Sequence, residues 1–118
     1  MLTRVVEYLP ASDAGSQFVR VVEETALRMV KAQPGCVTVF VELRGQSVLG
    51  VSVWESAADA ARFSRECYPE IKAMLRPLLK CDPEVHTFEV RELGSVMVRA
   101  RAMVRRSADS PGLGISLQ

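Results

Sequence analysis

The sequence predicts one α+β domain with the element order βαββαβ, and three observations carry that prediction. Two β-branched runs, 36–43 and 48–54, flank a short turn containing Gly45. Amphipathic helical stripes lie on either side of that pair, and β-forming segments stand outside them at 2–9 and 85–90. With 118 residues the chain supports one domain rather than two.

The first strand, Leu2 to Leu9, ends at Pro10, which cannot donate to a ladder. Ser12 and Asp13 offer N-cap chemistry to the helix that follows. Its apolar positions Phe18, Val21, Val22, Ala26, Met29 and Val30 have the spacing of one helical face, and Gln33-Pro34-Gly35 stops it. In the hairpin, Val37, Val39, Val41 and Leu43 alternate with Cys36, Thr38, Phe40 and Glu42. After Arg44-Gly45-Gln46, Leu49, Val51 and Val53 alternate with Val48, Gly50, Ser52 and Trp54. Ser56-Ala57-Ala58-Asp59 opens a second helix as a capping box with Asp in place of Glu. Tyr68-Pro69 interrupts that helix and starts a further segment with the stripe Ile71, Met74, Leu75, Leu78, Leu79. Pro77 kinks or ends the segment, and Val85 to Val90 is the last strand.

The chain therefore divides into a domain at 1–92, a basic extension at 93–106 and a flexible end at 107–118. In the extension, Val96, Val98, Ala100, Ala102 and Val104 fit a strand, while Val96, Ala100, Met103 and Val104 fit a helix, so periodicity leaves both open. Its arginines, Arg99, Arg101, Arg105 and Arg106, read as a solvated face.

Composition excludes several classes. A net charge of +1 gives no reason for a nucleic-acid partner. Three cysteines, Cys36, Cys67 and Cys81, are odd in number and widely spaced, which argues against a disulfide framework or a zinc site and for small core residues. No metal site is expected, since the carboxylates show no ligand spacing. No apolar run reaches the ~20 residues of a membrane span, and no signal-peptide pattern opens the chain, so a cytoplasmic location is expected.

Strand, helix, hairpin, helix, strand is the order of ferredoxin-like domains, in which both helices cover one face of a four-stranded antiparallel sheet. Taking the Val/Leu set of the hairpin as helix-facing, the other face carries Thr38, Phe40, Glu42, Gly50, Ser52 and Trp54. A face holding Phe40 and Trp54 is expected to be covered, by a second copy of the chain or by a ligand. Gly50 and Ser52 leave room for the ligand.

The run Val48-Leu49-Gly50-Val51-Ser52-Val53-Trp54-Glu55-Ser56, with Ala57-Ala58-Asp59-Ala60 and Tyr68-Pro69-Glu70, resembles the antibiotic biosynthesis monooxygenase domain. Pro34-Gly35 and Glu84 to Val90 add to the likeness, which covers about residues 1 to 91. It implies a homodimer of the dimeric α/β barrel type whose paired sheets enclose a pocket. The activity it implies is cofactor-independent monooxygenation of a small aromatic or quinol-like molecule, with no bound cofactor. Haem degradation, known in some relatives, does not fit: the first strand has no Asn, Phe63 stands where those relatives have Trp, and no His lies between 55 and 85. Such a monooxygenase binds an electron-rich phenol, removes a proton and exposes the carbanion to oxygen in a dry cavity.

The candidate parts are few. His86 alone has an ordinary pKa near neutrality, and Tyr8 or Tyr68 can hydrogen-bond a phenol. Trp54, Phe40, Ser52, Gly50 and Phe63 are the candidate substrate-binding residues. His86 alternates with Phe88 and Val90, a set that also suits a hydrogen-bonded core residue beneath the helices. The alternative function is a non-catalytic dimeric module of the same fold that binds a small ligand or a protein.

Overall fold

The computed structural model describes residues 1–91 together with Val96, Arg99 and Ala100. The other residues of the basic extension at 93–106 and the whole flexible end expected at 107–118 lie outside the described residues. Four strands, β1 (Leu2–Tyr8), β2 (Cys36–Arg44), β3 (Ser47–Trp54) and β4 (Glu84–Glu89), form one sheet in the order β2-β3-β1-β4. Every neighbouring pair is antiparallel. Between β1 and β2 runs one helical stretch: α1 (Gly15–Val21), a π-helical turn (Val22–Ala26) and α2 (Leu27–Lys31). Between β3 and β4 come α3 (Ala57–Glu66), α4 (Tyr68–Leu75) and a 3₁₀ turn (Arg76–Leu78). This is the expected ferredoxin-like α+β fold.

Local chemistry explains most boundaries. The Ser56 hydroxyl accepts a 3.1 Å hydrogen bond from the Asp59 amide, so the capping box opens α3. Pro69 sits in the first turn of α4, and Pro77 falls in the 3₁₀ turn that ends it. At the first helix the cap differs from expectation. Ala14, not Ser12 or Asp13, is the N-cap, and no side chain caps the helix; Phe18 N–H bonds to the Ala14 carbonyl at 2.8 Å.

The hairpin holds the main correction. Arg44 pairs with Ser47, leaving only Gly45 and Gln46 in the loop. Gly45 has φ +60°, which a type II′ hairpin demands at its first central position. Val41 then faces Gly50, and Val39 faces Ser52, while Phe40 faces Val51. A three-residue loop would have put Val41 beside Leu49. One residue fewer turns β3 over relative to β2, because side chains alternate with period two. Trp54, Ser52 and Gly50 thus share the helix side with Val39 and Val41, and Phe40 belongs to the opposite face.

The helix-side core unites Val6, Tyr8, Val48 and Trp54 with Phe18, Val22, Phe63, Ile71 and Leu75. The outer face is also buried. Val5, Leu49, Val51, Val53, Phe88 and Val90 cluster there with Val96 and Ala100, which are helical and lie one turn apart. Burying such side chains contributes roughly 1.5–3 kcal/mol each, together about the whole net stability of a small domain. The expected cause of pairing, a bare face with Phe40 beside Trp54, is therefore not what the fold presents. Of the cysteines, Cys67 is buried and Cys36 half-buried, but Cys81 is exposed and takes no part in the core.

Candidate active site beneath the helices

The middle of β1 sends Arg4 and Tyr8 toward the helices, flanking Val6. Arg4 pairs with Ser52 on β3 and with Thr87 on β4, so its side chain leaves the centre of the sheet. Only 5% of Arg4 is exposed. Its guanidinium carbon lies 4.2 Å from the centroid of the Tyr68 ring and 5.2 Å from that of Phe63. These are cation–π distances. No carboxylate among the described residues forms an ion pair with it.

Two aromatic rings, Phe63 and Tyr68, stand against this cation, and a third, Trp54, packs on Phe63. Trp54 stacks on Phe63 with centroids 4.9 Å apart and planes at 27°, and Phe63 meets Tyr68 at 6.1 Å. The Trp54 indole N–H donates to the Ser52 hydroxyl at 2.9 Å, which fixes the indole orientation without using a backbone group. Tyr8 tilts against Phe18 at 5.3 Å. A Cβ at Gly50 would lie 3.4 Å from the Tyr8 ring, so the glycine there makes room for tyrosine rather than for open space.

Arg4, Tyr8, Gly50, Ser52, Phe63 and Tyr68 line a narrow cavity of about 40 Å³ between sheet and helices, while Trp54, stacked on Phe63, is not part of its lining. Its roof is Val22, Ala26, Leu27 and Val30, three of the four in or next to the π-helical turn. Such turns hold an unevenly bonded stretch of helix and recur at functional sites. The Tyr68 hydroxyl is buried in this region beside Arg4 and Tyr8, the two side chains it can hydrogen-bond. Burial, followed by the neighbouring Tyr68, pushes the Tyr8 phenol well above its ordinary value of 10.0, so the phenol keeps its proton near neutral pH. Burial also lowers the Arg4 pKa.

A larger groove, about 600 Å³, runs between the start of α1 and the hairpin tip. It is open, Lys80 is its one charged group, and it has no aromatic lining. By size the groove falls in the range of ~300–1,000 Å³ usual for ligand pockets and the cavity does not; the cavity is distinguished by its aromatic lining and buried polar groups.

The structure thus brings together Trp54, Ser52, Gly50, Phe63 and Tyr8 among the residues singled out from sequence. It separates two others. Phe40 points to the outer face, packed against its aliphatic cluster. His86 pairs with Val5 and shares that same outer face, so it lies neither under the helices nor beside Trp54. There His86 Nε2 is 3.8 Å from a Glu84 carboxylate oxygen. Glu7, whose carboxylate accepts from the Ser47 hydroxyl at 3.0 Å, completes a cluster with ligand-type atoms within 4.8 Å of one another. Cross-strand pairing of Glu7 with Glu84 makes this grouping, which linear spacing does not reveal. Sequence reasoning missed Arg4 altogether; its one signal was a charged residue at the centre of an otherwise β-forming run.

Solved structures share this architecture. SnoaB, a cofactor-independent oxygenase from Streptomyces nogalater, is similar at 21% identity and TM-score 0.64, over 77% of this chain and 93% of that one. The monooxygenase from the gene ActVA-Orf6 of Streptomyces coelicolor, solved with nanaomycin D, is similar at 16% and 0.64 over 77% and 88%. An antibiotic biosynthesis monooxygenase matches at 11% and 0.64 over 78% and all of its chain. This chain has the antibiotic biosynthesis monooxygenase fold. No family model and no curated protein matches the sequence. Close to a quarter of this chain lies outside the region matched to these monooxygenase-fold structures. Among the described residues no helix is long and apolar enough to cross a membrane.

Proposed function

We propose that this chain is a cofactor-independent monooxygenase acting on a small aromatic, quinol-like molecule in the helix-side cavity. The observation that carries the reading is the pair of rings, Phe63 and Tyr68, that line the cavity together with the Tyr8 and Tyr68 phenols. The resemblance to monooxygenases of known activity supports it. Tyr68 and Tyr8 donate hydrogen bonds to the phenol oxygen. The substrate gives up its phenolic and ring hydrogens; one oxygen atom becomes the new carbonyl and the other leaves as water. No bound cofactor takes part in this scheme.

A ring-sized substrate exceeds the present cavity, so binding requires the roof at Val22 to Val30 to move outward. A second copy of the chain is the partner the family likeness implies. Pairing through the outer sheet face requires Val96 and Ala100 to leave it first. The second reading, a non-catalytic ligand-binding module, is favoured by one observation: His86 stands on the opposite face, so no imidazole faces the cavity.

An oxygen electrode separates the two readings. With hydroxylated naphthalene hydroquinones, the monooxygenase reading expects uptake above the protein-free rate, reduced about tenfold or more in Tyr68→Phe. Uptake equal to the protein-free rate across the panel would leave the binding module.

A further inference from the structure

We infer that the outer face of the sheet is a docking surface for this chain's own basic segment at 101–106, whose arginines meet a row of glutamates laid across the strands. This goes beyond the monooxygenase reading and stands apart from it, since the helix-side cavity takes no part. Arg99, Arg101, Arg105 and Arg106 fall within eight residues. From sequence alone they read as a solvated face, but the sheet supplies their complement. Glu42 pairs with Leu49, Leu49 with Glu7, and Glu7 with Glu84, so one row of the outer face carries three carboxylates from edge to edge. The next two rows, through Val51 and through Val53, hold none.

Carboxylates in this arrangement call for a cation. Glu7 and Glu84 stand directly opposite each other, which destabilises a strand pair when both are charged. Glu7 is buried, and a buried carboxylate is stable when cations and hydrogen bonds replace its water. All three glutamates take part in polar interactions, the Ser47 hydroxyl donating to Glu7 at 3.0 Å. The basic segment also starts from the right place. Val96 and Ala100 are seated on the outer cluster, and the Arg99 guanidinium carbon lies 4.9 Å from the Phe88 ring centroid. Phe88 is four residues along β4 from Glu84, about 13 Å at strand spacing. Arg105 and Arg106 are six and seven residues past Arg99, about 9–11 Å in a helix or about 20–23 Å extended. With the length of an arginine side chain added, either conformation reaches the row.

A divalent cation is the rival occupant. Ligand-type atoms of Glu7, Glu84 and His86 lie within 4.8 Å of one another, and the buried His86 Nε2 has no hydrogen-bond partner. Glu42 decides between the two. It stands two strands from Glu7, about 10 Å at the usual spacing, too far for both to hold one ion. Three arginines on one segment serve the whole row, and their place on the same chain gives them a high local concentration.

Zero-length carbodiimide cross-linking tests this, because it joins an amine only to a carboxylate in contact with it. The full chain carrying Arg101→Lys, Arg105→Lys and Arg106→Lys keeps its charges and gains three amines in the segment. Peptide mass spectrometry should find those amines joined to Glu42 or Glu84, which are half-buried and exposed and so open to the reagent. An equal mixture of unlabelled and heavy-nitrogen protein should give links within one chain only. Raising salt from ~0.01 to ~1 M shortens the screening length from about 30 to about 3 Å and should remove most of the yield. Links only to other carboxylates, links between chains, a salt-independent yield, or no links overturn the inference. A yield that changes when a chelator strips metal gives the row to a cation and overturns it as well. A second measurement keeps the native arginines. In the full chain with Glu42→Gln and Glu84→Gln, trypsin should cut after Arg101, Arg105 and Arg106 severalfold faster than in the wild type. Equal cleavage rates in the two folded proteins overturn the docking.

Discussion

The two faces of the sheet bury different chemistry. The outer face is aliphatic at its centre, with Glu7 accepting from Ser47 and His86 Nε2 3.8 Å from Glu84; the Thr3 hydroxyl and His86 Nε2 are buried there without a hydrogen-bond partner. The helix face holds the buried Arg4 guanidinium against the Phe63 and Tyr68 rings. Both arrangements come from alternate residues of one strand: Val5 and Glu7 rise to the outer face, Arg4 and Tyr8 descend to the helices. The difference teaches that one strand, by alternation alone, supplies an aliphatic packing face and an aromatic, charge-bearing one.

That contrast can be broken from either side, and the largest effect is expected on the outer face. Leu49 is fully buried there, so Leu49→Ala should cost about 2–5 kcal/mol in a urea titration. The folded fraction should bind 2-hydroxy-1,4-naphthoquinone as the wild type does. A binding loss larger than the unfolded fraction explains would show that the faces are not independent.

Ending the chain at Gly94 removes Val96 and Ala100 from the outer cluster. The uncovered patch should then seek a second copy, and light scattering at equal concentration should report a higher mean mass than for the full chain. An unchanged mass would mean that these residues do not guard that face.

A smaller effect is expected from Tyr8. Burial raises its folded pKa above the unfolded value near 10.0, so its neutral form contributes stability that is complete below pH 10. The contribution is lost as pH rises through the folded value. Tyr8→Phe removes this titration, and its urea midpoint should fall less steeply than that of the wild type between pH 9 and 11. Parallel curves would place Tyr8 in a more solvated setting.

The smallest effect is expected from His86→Ala. Because His86 lies across the sheet from the cavity, oxygen uptake should stay within about twofold. A collapse of activity in folded protein would restore the imidazole as a base and refute the division of faces.

How much of this was legible in the sequence depends on which physical signal each feature leaves. The helical stripe from Phe18 to Val30, the Ser56 capping box and the two hairpin strands follow from local periodicity and turn chemistry, and all stand in the structure. The register did not follow. Arg44-Gly45-Gln46 marks a turn, yet whether Arg44 belongs to loop or strand decides which face Trp54 occupies, and composition is silent on that single residue. The grouping of Ser52 and Gly50 with Trp54 was thus anticipated for the wrong face of the sheet, and Trp54 itself stays outside the cavity lining. Arg4 escaped notice because a lone arginine in a strand reads as solvent-facing, and only the pairing of β1 between β3 and β4 buries it.

The most direct test of the central claim, that the ligand site is the helix-side cavity, is to find which rings a bound ligand touches. In the complex with 2-hydroxy-1,4-naphthoquinone, intermolecular NOEs should run from the ligand to the rings of Tyr8, Phe63 and Tyr68. NOEs to Phe40 and Phe88 instead would put the ligand on the outer face and contradict the account.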